Sequence, residues 1–293
     1  MKAMTTTPLL AGAAVALLAG HASAAIIPLY TEAGIGDLGD VWNANVDTGD
    51  ASKFFAGEYG IELLNAGTSP VSPFGSGNAI RMYDFNTLDK PELQLDLAEP
   101  LTGAFRVDFT TFNASTNASS SAIRFRMANT GDSISSESRS AFSLSWQADR
   151  EFTAKSEGGF GSVATKSTQP LDGVQMMTMV GNAATAGTYT YNLYGVERTL
   201  NPQSYDVYIN GVLFNDDTDA DEINGLEFHL TKSAGNYDPA LGLGRIGLIG
   251  SSNSNVDPDV YFDNIILRTG ADVVPEPASA LLLSLGVLAL RRR

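Results

Sequence analysis

The chain has no cysteine among its 293 residues and only two histidines. The missing cysteine excludes disulfides, thiol nucleophiles, cysteine-ligated zinc and iron–sulfur clusters. His21 falls in the leader described below, so the body of the protein retains only His229. Metal sites built on a pair of histidines are therefore excluded as well.

Basic side chains are scarce. Eighteen Lys and Arg residues stand against 33 Asp and Glu residues, which gives a formal net charge of −15. A nucleic-acid partner is excluded, because binding phosphate backbones requires lysines and arginines that displace counterions. A surface of this charge favours solubility and divalent cations instead.

Two catalytic signatures are also missing from the sequence. It has no Gly-x-Ser-x-Gly elbow, the turn that exposes a serine nucleophile in α/β-hydrolases. It has no Glu-x-Asp-x-x-Glu strand, the pattern that places acid and nucleophile side by side in jelly-roll glycosidases. No catalytic residue is assigned, and a retaining glycosidase is disfavoured.

The first 24 residues have the order of a signal peptide. Lys2 precedes a short apolar run that ends in Ala22-Ser23-Ala24, small residues that fit the pocket of a signal peptidase. We expect export, with cleavage between Ala24 and Ala25.

The C-terminal segment, residues 273–293, contains Pro275-Glu276-Pro277, then 13 apolar or small residues, then Arg291, Arg292 and Arg293. A helix of that length covers only about 20 Å, less than the roughly 30 Å of hydrocarbon in a bilayer. The three arginines would hold this end in the cytoplasm. The segment is thus at best a marginal membrane anchor.

These three features in this order resemble the PEP-CTERM sorting signal of Gram-negative, biofilm-forming bacteria. The resemblance implies that the tail inserts transiently in the inner membrane and that an exosortase recognises Pro275, Glu276 and Pro277. It further implies that the tail is removed and the protein released to the cell surface or the extracellular matrix. An ordinary C-terminal transmembrane helix is the alternative.

The body, residues 25–272, is predicted to be one β-sandwich domain. From about residue 79, short segments alternate apolar and polar residues, which is typical of strands with one buried face. The apolar positions are Leu93, Leu95, Leu97, Phe105, Val107, Phe109, Ile123, Phe125, Met127, Phe142, Leu144, Trp146, Tyr189, Tyr191, Leu193, Tyr205, Val207, Ile209, Leu226, Phe228, Leu230, Ile246 and Leu248. Asn210-Gly211 predicts a two-residue hairpin turn. So many strands in one domain indicate two packed antiparallel sheets.

Two segments, Asp259 to Arg268 and Tyr205 to Phe214, resemble the last strand and a hairpin of concanavalin A-like jelly rolls and carbohydrate-binding modules. The resemblance implies a jelly-roll sandwich. It also implies that Asp263 holds a structural calcium together with an N-terminal glutamate, for which Glu32 is the candidate. Alternatively, Asp263 and Asn264 cap a β-bulge through backbone hydrogen bonds.

A second calcium candidate is the acidic loop at Asp217, Asp219 and Asp221. Carboxylates on alternate residues can converge on one hard cation. The loop lacks the glycine and the terminal glutamate of an EF-hand, and an acidic, solvated loop explains the same residues. Calcium is the only cofactor that the sequence suggests.

Several polar residues are predicted to face outward from the sandwich: Arg124, Arg126, Gln147, Tyr194, Tyr208 and His229. If they share one sheet, they would form a sugar-binding or catalytic face; ordinary residues on a solvated face are the alternative. Trp146, in phase with Phe142 and Leu144, is predicted to be core. We therefore expect an exported structural or adhesive protein of the surface or matrix that binds exopolysaccharide. The alternative is an extracellular polysaccharide lyase on the same scaffold.

Overall fold

A computed structural model describes the larger part of the body, none of residues 1–24 and only Val273 of the C-terminal segment. The described residues are 25–30, 43–44, 59–64, 72–75, 79–84, 91–116, 121–135, 139–155, 164–167, 170–214, 226–228, 238–250, 258–270 and 273. These ranges are nearly all β-structure and contain no α-helix, so the prediction of an all-β protein is confirmed. None of their elements is a helix that could span a bilayer.

The strands within these ranges, in chain order, are β1 Ala25–Tyr30, β2 Asn43–Ala44, β3 Tyr59–Leu64, β4 Ala79–Asp84, β5 Glu92–Leu101, β6 Ala104–Asn113, β7 Ala122–Ala128, β8 Ser140–Gln147, β9 Phe152–Lys155, β10 Ala164–Lys166, β11 Val174–Asn182, β12 Tyr189–Leu193, β13 Val196–Leu200, β14 Ser204–Ile209, β15 Val212–Leu213, β16 Leu226–Glu227, β17 Leu243–Ile249 and β18 Asp259–Thr269.

Two antiparallel sheets form the jelly-roll sandwich that the sequence predicts. Sheet A has the order β15-β14-β11-β6-β18-β4-β3, with β1 on β18 and β16 on β14. Sheet B has the order β10-β9-β8-β7-β17-β5-β2. Many neighbours within a sheet are distant in sequence, as expected when strands are exchanged between two layers.

The core lies between the sheets and is rich in aromatic rings. Phe109 of sheet A stacks on Phe125 of sheet B with ring centroids 5.3 Å apart. Trp146 of sheet B meets Phe262 of sheet A edge to face at 5.1 Å. Trp146 is 1% exposed, so its predicted place in the core is confirmed. Burial of these rings supplies a large part of the apolar area that holds the two layers together.

The Asn210-Gly211 turn is confirmed. Its two residues have φ angles of 52° and 78° and join β14 to β15, as a type I′ turn requires. A second turn of this kind joins β12 to β13 at Tyr194-Gly195, with φ angles of 54° and 81°.

The β12–β13 hairpin differs from the prediction. Tyr191 and Leu193 do not belong to the core between the sheets. They form a second cluster with Val180, Leu200 and Tyr208, on the outer face of sheet A. An alternating pattern shows that one face of a strand is buried but not which layer covers it. The hairpin therefore adds a partial third layer over β11 and β14.

Sheet B is covered on its outer face by the loop of residues 129–135. Ile134 in this loop is fully buried, and its Cδ1 lies where a side chain at Gly247 would begin. Arg245 on β17 donates to the carbonyl oxygen of Asp132 at 2.7 Å. The loop thus lies directly on the sheet.

Candidate functional site

The candidate residues for a sugar face lie on two sheets. Arg124 and Arg126 are on β7 and Gln147 is on β8, all in sheet B, whereas Tyr208 is on β14 in sheet A. The whole sandwich separates these two outer faces. Tyr208 therefore cannot act together with Arg124 and Gln147 on one substrate. His229 lies outside the described residues.

Arg126 does not face solvent, contrary to expectation. It is 4% exposed and donates from Nη1 to the carbonyl oxygens of Ile134 and Ser135, at 2.8 and 3.2 Å. The covering loop turns this outward position into a buried one, where the arginine holds the loop. Gln147 donates from Nε2 to the hydroxyl of Thr153 at 2.8 Å.

Tyr208 points away from the inter-sheet core, as predicted, but the β12–β13 hairpin covers it completely. Its hydroxyl is 2.9 Å from that of Tyr191, which donates to the buried Asp206. Arg198 pairs with Asp206 through two contacts of 3.2 Å. Burial raises the pKa of both Tyr191 and Tyr208, so neither hydroxyl is poised to act as a base near neutral pH.

Asp263 lies in a bulge of β18, where the register shifts between Asp263 and Ile266. Its Oδ1 accepts the backbone N–H of Asn264 at 2.7 Å, and Asn264 has a φ of 52°. This geometry matches the bulge-capping alternative. No group of three or more His, Asp or Glu side chains able to hold a metal occurs among the described residues. Asp217, Asp219, Asp221 and Glu32 lie outside them, so both calcium sites stay predictions.

The sorting residues Pro275, Glu276, Pro277, Arg291, Arg292 and Arg293 also lie outside the described residues, as does Ala24. Ala25 is the first residue of β1, where it pairs with Thr269. Cleavage at this junction and sorting by the tail stay predictions too.

One outer surface combines an exposed aromatic side chain with several converging polar groups. We call it the Tyr194 face and define it by residues of β6, β11, β18 and the β12–β13 turn, namely Arg106, Asp108, Val174, Met176, Thr178, Tyr194 and Arg268. Cross-strand register places Asp108 directly beside Thr178 and Arg106 beside Arg268.

Tyr194 occupies the first position of its turn in the left-handed backbone region, which is unfavourable for a bulky residue. Its ring lies over Gly211, where an added Cβ would come 3.4 Å from the ring, and next to the ring of Tyr208, 5.5 Å away. The Tyr194 hydroxyl is 3.1 Å from that of Thr178. These contacts fix the side chain in place while 47% of the residue stays exposed.

Asp108 is the centre of the polar network beside this ring. Its Oδ1 accepts from Thr178 Oγ1 and from Arg106 Nε, both at 2.8 Å. Its Oδ2 accepts from Arg268 Nε at 3.0 Å. One carboxylate thereby fixes three donors that come from three different strands.

Two exposed apolar side chains continue the face along β11. Met176 is the next outward residue after Thr178 and is 56% exposed, and Val174 is 46% exposed. Most large apolar side chains in the described part of the chain are buried, so this local exposure is unusual.

The arrangement suits a ligand that has both an apolar face and many hydroxyl groups. The Tyr194 ring and Met176 offer a surface for stacking, and the polar network offers fixed donors and acceptors next to it. The sequence indicated Tyr194 as an outward residue. It gave no indication of Arg268, because only strand register shows that β18 lies beside β6.

Comparisons with known proteins give structural neighbours only. No family model matches the chain, and no curated protein matches it. The carbohydrate recognition domain of Emp47p has a TM-score of 0.45 at 9% identity, over 84% of this chain and 94% of that one. The cellulose-induced protein Cip1 has a TM-score of 0.47 at 11% identity, over 81% and 95%. The K1 cleaved adhesin domain of Lys-gingipain from Porphyromonas gingivalis W83 has a TM-score of 0.36 at 9% identity, over 85% and 98%. Likeness at this level does not establish a shared ligand or activity.

Proposed function

We propose that this chain is an exported structural or adhesive protein of the cell surface or extracellular matrix, and that its β-sandwich binds exopolysaccharide through the Tyr194 face. The observation behind the binding role is the fixed, exposed ring of Tyr194 beside the Asp108 network. A strained aromatic residue at a hairpin tip is best explained by a use for its ring, since glycine or asparagine would fit the turn better.

The rigidity of the ring strengthens this argument. Gly211, Tyr208 and Thr178 already restrict Tyr194, so little side-chain entropy is lost when a ligand stacks on it. A sugar ring has an apolar face formed by its C–H groups and a periphery of hydroxyls. The aromatic surface would contact that apolar face, while the partly exposed carboxylate of Asp108 accepts hydrogen bonds from the hydroxyls.

The binding role is tested with Tyr194→Asn. Asparagine adopts the left-handed backbone conformation readily, so the turn is kept while the ring is removed. Native gels cast with polysaccharide from the producing organism, or with purified alginate or cellulose derivatives, should retard the natural protein and not the variant. Leu241→Ala is the matched control, because Leu241 is 59% exposed and lies in the turn before β17 of sheet B. Equal retardation of Tyr194→Asn and the natural protein would contradict the proposal.

Export and sorting rest on the two terminal segments and need a separate test. Mass spectrometry of the protein recovered from the cell surface or matrix should show an N-terminus at Ala25 and no Arg291, Arg292 or Arg293. The reason is that signal peptidase and exosortase would each have cut the chain. Recovery of the intact arginine terminus from surface material, or of the protein from the cytosol, would overturn this part of the proposal.

A further inference from the structure

The Tyr194 face contains two arginines that stacking on a sugar does not require. Arg106 on β6 and Arg268 on β18 are directly opposite each other in the register, and both project from the outer face of sheet A. Side chains at such positions start only about 5 Å apart, and like charges there are destabilising. The pair therefore has a cost that calls for an explanation.

Asp108 compensates this repulsion only in part. It contacts both arginines, but each only through Nε, at 2.8 Å for Arg106 and 3.0 Å for Arg268. Thr178 donates a further hydrogen bond to the same carboxylate. One negative charge is thus shared by two positive ones, and the group keeps an excess positive charge on a protein whose net charge is −15.

Three other paired arginines of the sandwich are bound differently. Arg81 donates from Nε and Nη2 to the carboxylate of Asp259 at 2.9 and 2.8 Å. Arg245 donates from the same two atoms to the carboxylate of Asp96 at 2.6 and 2.8 Å. Arg198 makes the corresponding two contacts to Asp206. These two-point contacts use the planar geometry of guanidinium fully.

In Arg106 and Arg268, by contrast, the Nη atoms make no hydrogen bond or ion pair to any described residue. The two side chains are 16% and 26% exposed, and Asp108 contacts each of them at Nε. Because the carboxylate between them contacts only Nε, the Nη donors of both guanidinium groups have no acceptor among the described residues. The result is a pair of preorganised donors for a second oxyanion.

We propose that Arg106 and Arg268 together bind the oxyanion of an acidic polysaccharide, a uronate carboxylate or a sulfate ester, while a neighbouring sugar stacks on Tyr194. Three hydrogen bonds in series connect Tyr194 to either guanidinium, through Thr178 and Asp108, so one ligand chain can reach both. This inference rests on the proposed function and names its substrate class. It also explains how an acidic protein binds an acidic polymer, because the local charge is positive.

The test uses pairs of polymers that differ only in charge. Alginate and polygalacturonate are compared with their methyl-esterified forms, and a sulfated galactan with its desulfated form, in native gels or by calorimetry. We expect at least one charged polymer to bind at least about tenfold more tightly than its neutral counterpart, since a charge-assisted pair contributes that much or more. The carboxylate and sulfate series show which oxyanion is preferred.

Arg106→Gln and Arg268→Gln, which keep donors but lose the charge, should reduce this binding by about tenfold or more. Arg268→Lys should also weaken it, because lysine cannot make a two-point contact. Arg150→Gln is the control, since Arg150 pairs with Asp172 on the surface, and its side chain is 44% exposed. Thermal melting of each variant confirms that it is folded.

The possible outcomes distinguish failure of the anion site from failure of the proposed function. If neutral polymers bind as well as charged ones and only Tyr194→Asn abolishes binding, the anion site is wrong and the proposed function stands. If charged polymers bind equally to the natural protein and the arginine variants, the anion site is again wrong. If no polysaccharide binds, both proposals fail. If the variants do not fold, equal binding of the charged and neutralised polymers to the natural protein overturns the inference by itself.

Discussion

The buried ion pair beneath the β12–β13 hairpin is the clearest case in which one residue determines local stability. Asp206 has no exposed side-chain surface, and Arg198 is its cationic partner. A buried carboxylate that loses its partner keeps the cost of desolvation without the compensating attraction. The hydrogen-bonded tyrosines Tyr191 and Tyr208 cannot replace the lost charge, because both are neutral.

Arg198→Leu should therefore lower the free energy of unfolding by about 3 kcal/mol, the lower end of what breaking a buried pair costs. Arg150→Leu should change it by less than about 1 kcal/mol, because the Arg150–Asp172 pair is largely exposed to water. Urea denaturation of the two variants measures both values. Equal effects would show that the Asp206 pair does not stabilise the hairpin.

Residue-scale features were predicted best where one residue type dictates one geometry. Asn210-Gly211 indicated its turn, and the Asp263-Asn264 bulge was among the stated alternatives. Arg126 was predicted wrongly, because the sequence shows that it leaves the core face of β7 but not that residues 129–135 fold over it.

At the scale of elements, the close contact of the 129–135 loop with β17 depends on the absence of a side chain at Gly247. A Cβ there would lie 1.7 Å from Cδ1 of Ile134 and 3.0 Å from the carbonyl oxygen of Leu93. The loop and the strand can touch only because the position is glycine. This contact and the hydrogen bonds of Arg126 and Arg245 together fix the loop to sheet B.

Gly247→Ala should therefore destabilise the protein by about 1–3 kcal/mol, the usual cost of overpacking. Gly103→Ala, where an added Cβ meets nothing within 4 Å, should have little effect. The double variant Gly247→Ala with Ile134→Ala should lose less free energy of unfolding than the two single variants lose together. The reason is that Ile134→Ala removes the methyl group with which the new Cβ would clash. Strict additivity in denaturation experiments would contradict this account.

The elements themselves were largely predictable, since nearly every alternating segment that the structure describes is a strand. Their assembly was not. The alternating pattern predicted that Tyr189, Tyr191 and Leu193 share a face buried in the core between the sheets. In the structure they pack against the outer face of sheet A instead. The position of β18 between β6 and β4, which creates the arginine pair, depends on long-range strand order that no local pattern encodes.

On the scale of the whole molecule, the burial of tyrosines should make the protein less stable at alkaline pH. Burial is the main cause that raises the pKa of Tyr83 and of Tyr261 to about 12, and it raises the pKa of Tyr191, Tyr205 and Tyr208 as well. The folded protein thus keeps protons that the unfolded chain releases near pH 10. Stability should be intact below about pH 10 and fall as the pH rises toward about 12.

Tyrosinate absorbance followed together with urea denaturation at increasing pH tests this dependence. We expect part of the ten tyrosines to ionise only when the protein unfolds. Ionisation of all tyrosines in one step near pH 10, with the fold and its stability retained, would be inconsistent with their burial.

The most direct test of the central claim is a hydrogen-exchange footprint of the natural protein with the acidic polysaccharide that it binds best. The polymer should slow exchange in β6, β11, β18 and the turn at Tyr194, and should leave β7, β8 and β17 of sheet B unchanged. Protection confined to sheet B, or no protection anywhere at saturating polymer, would contradict the assignment of the binding face.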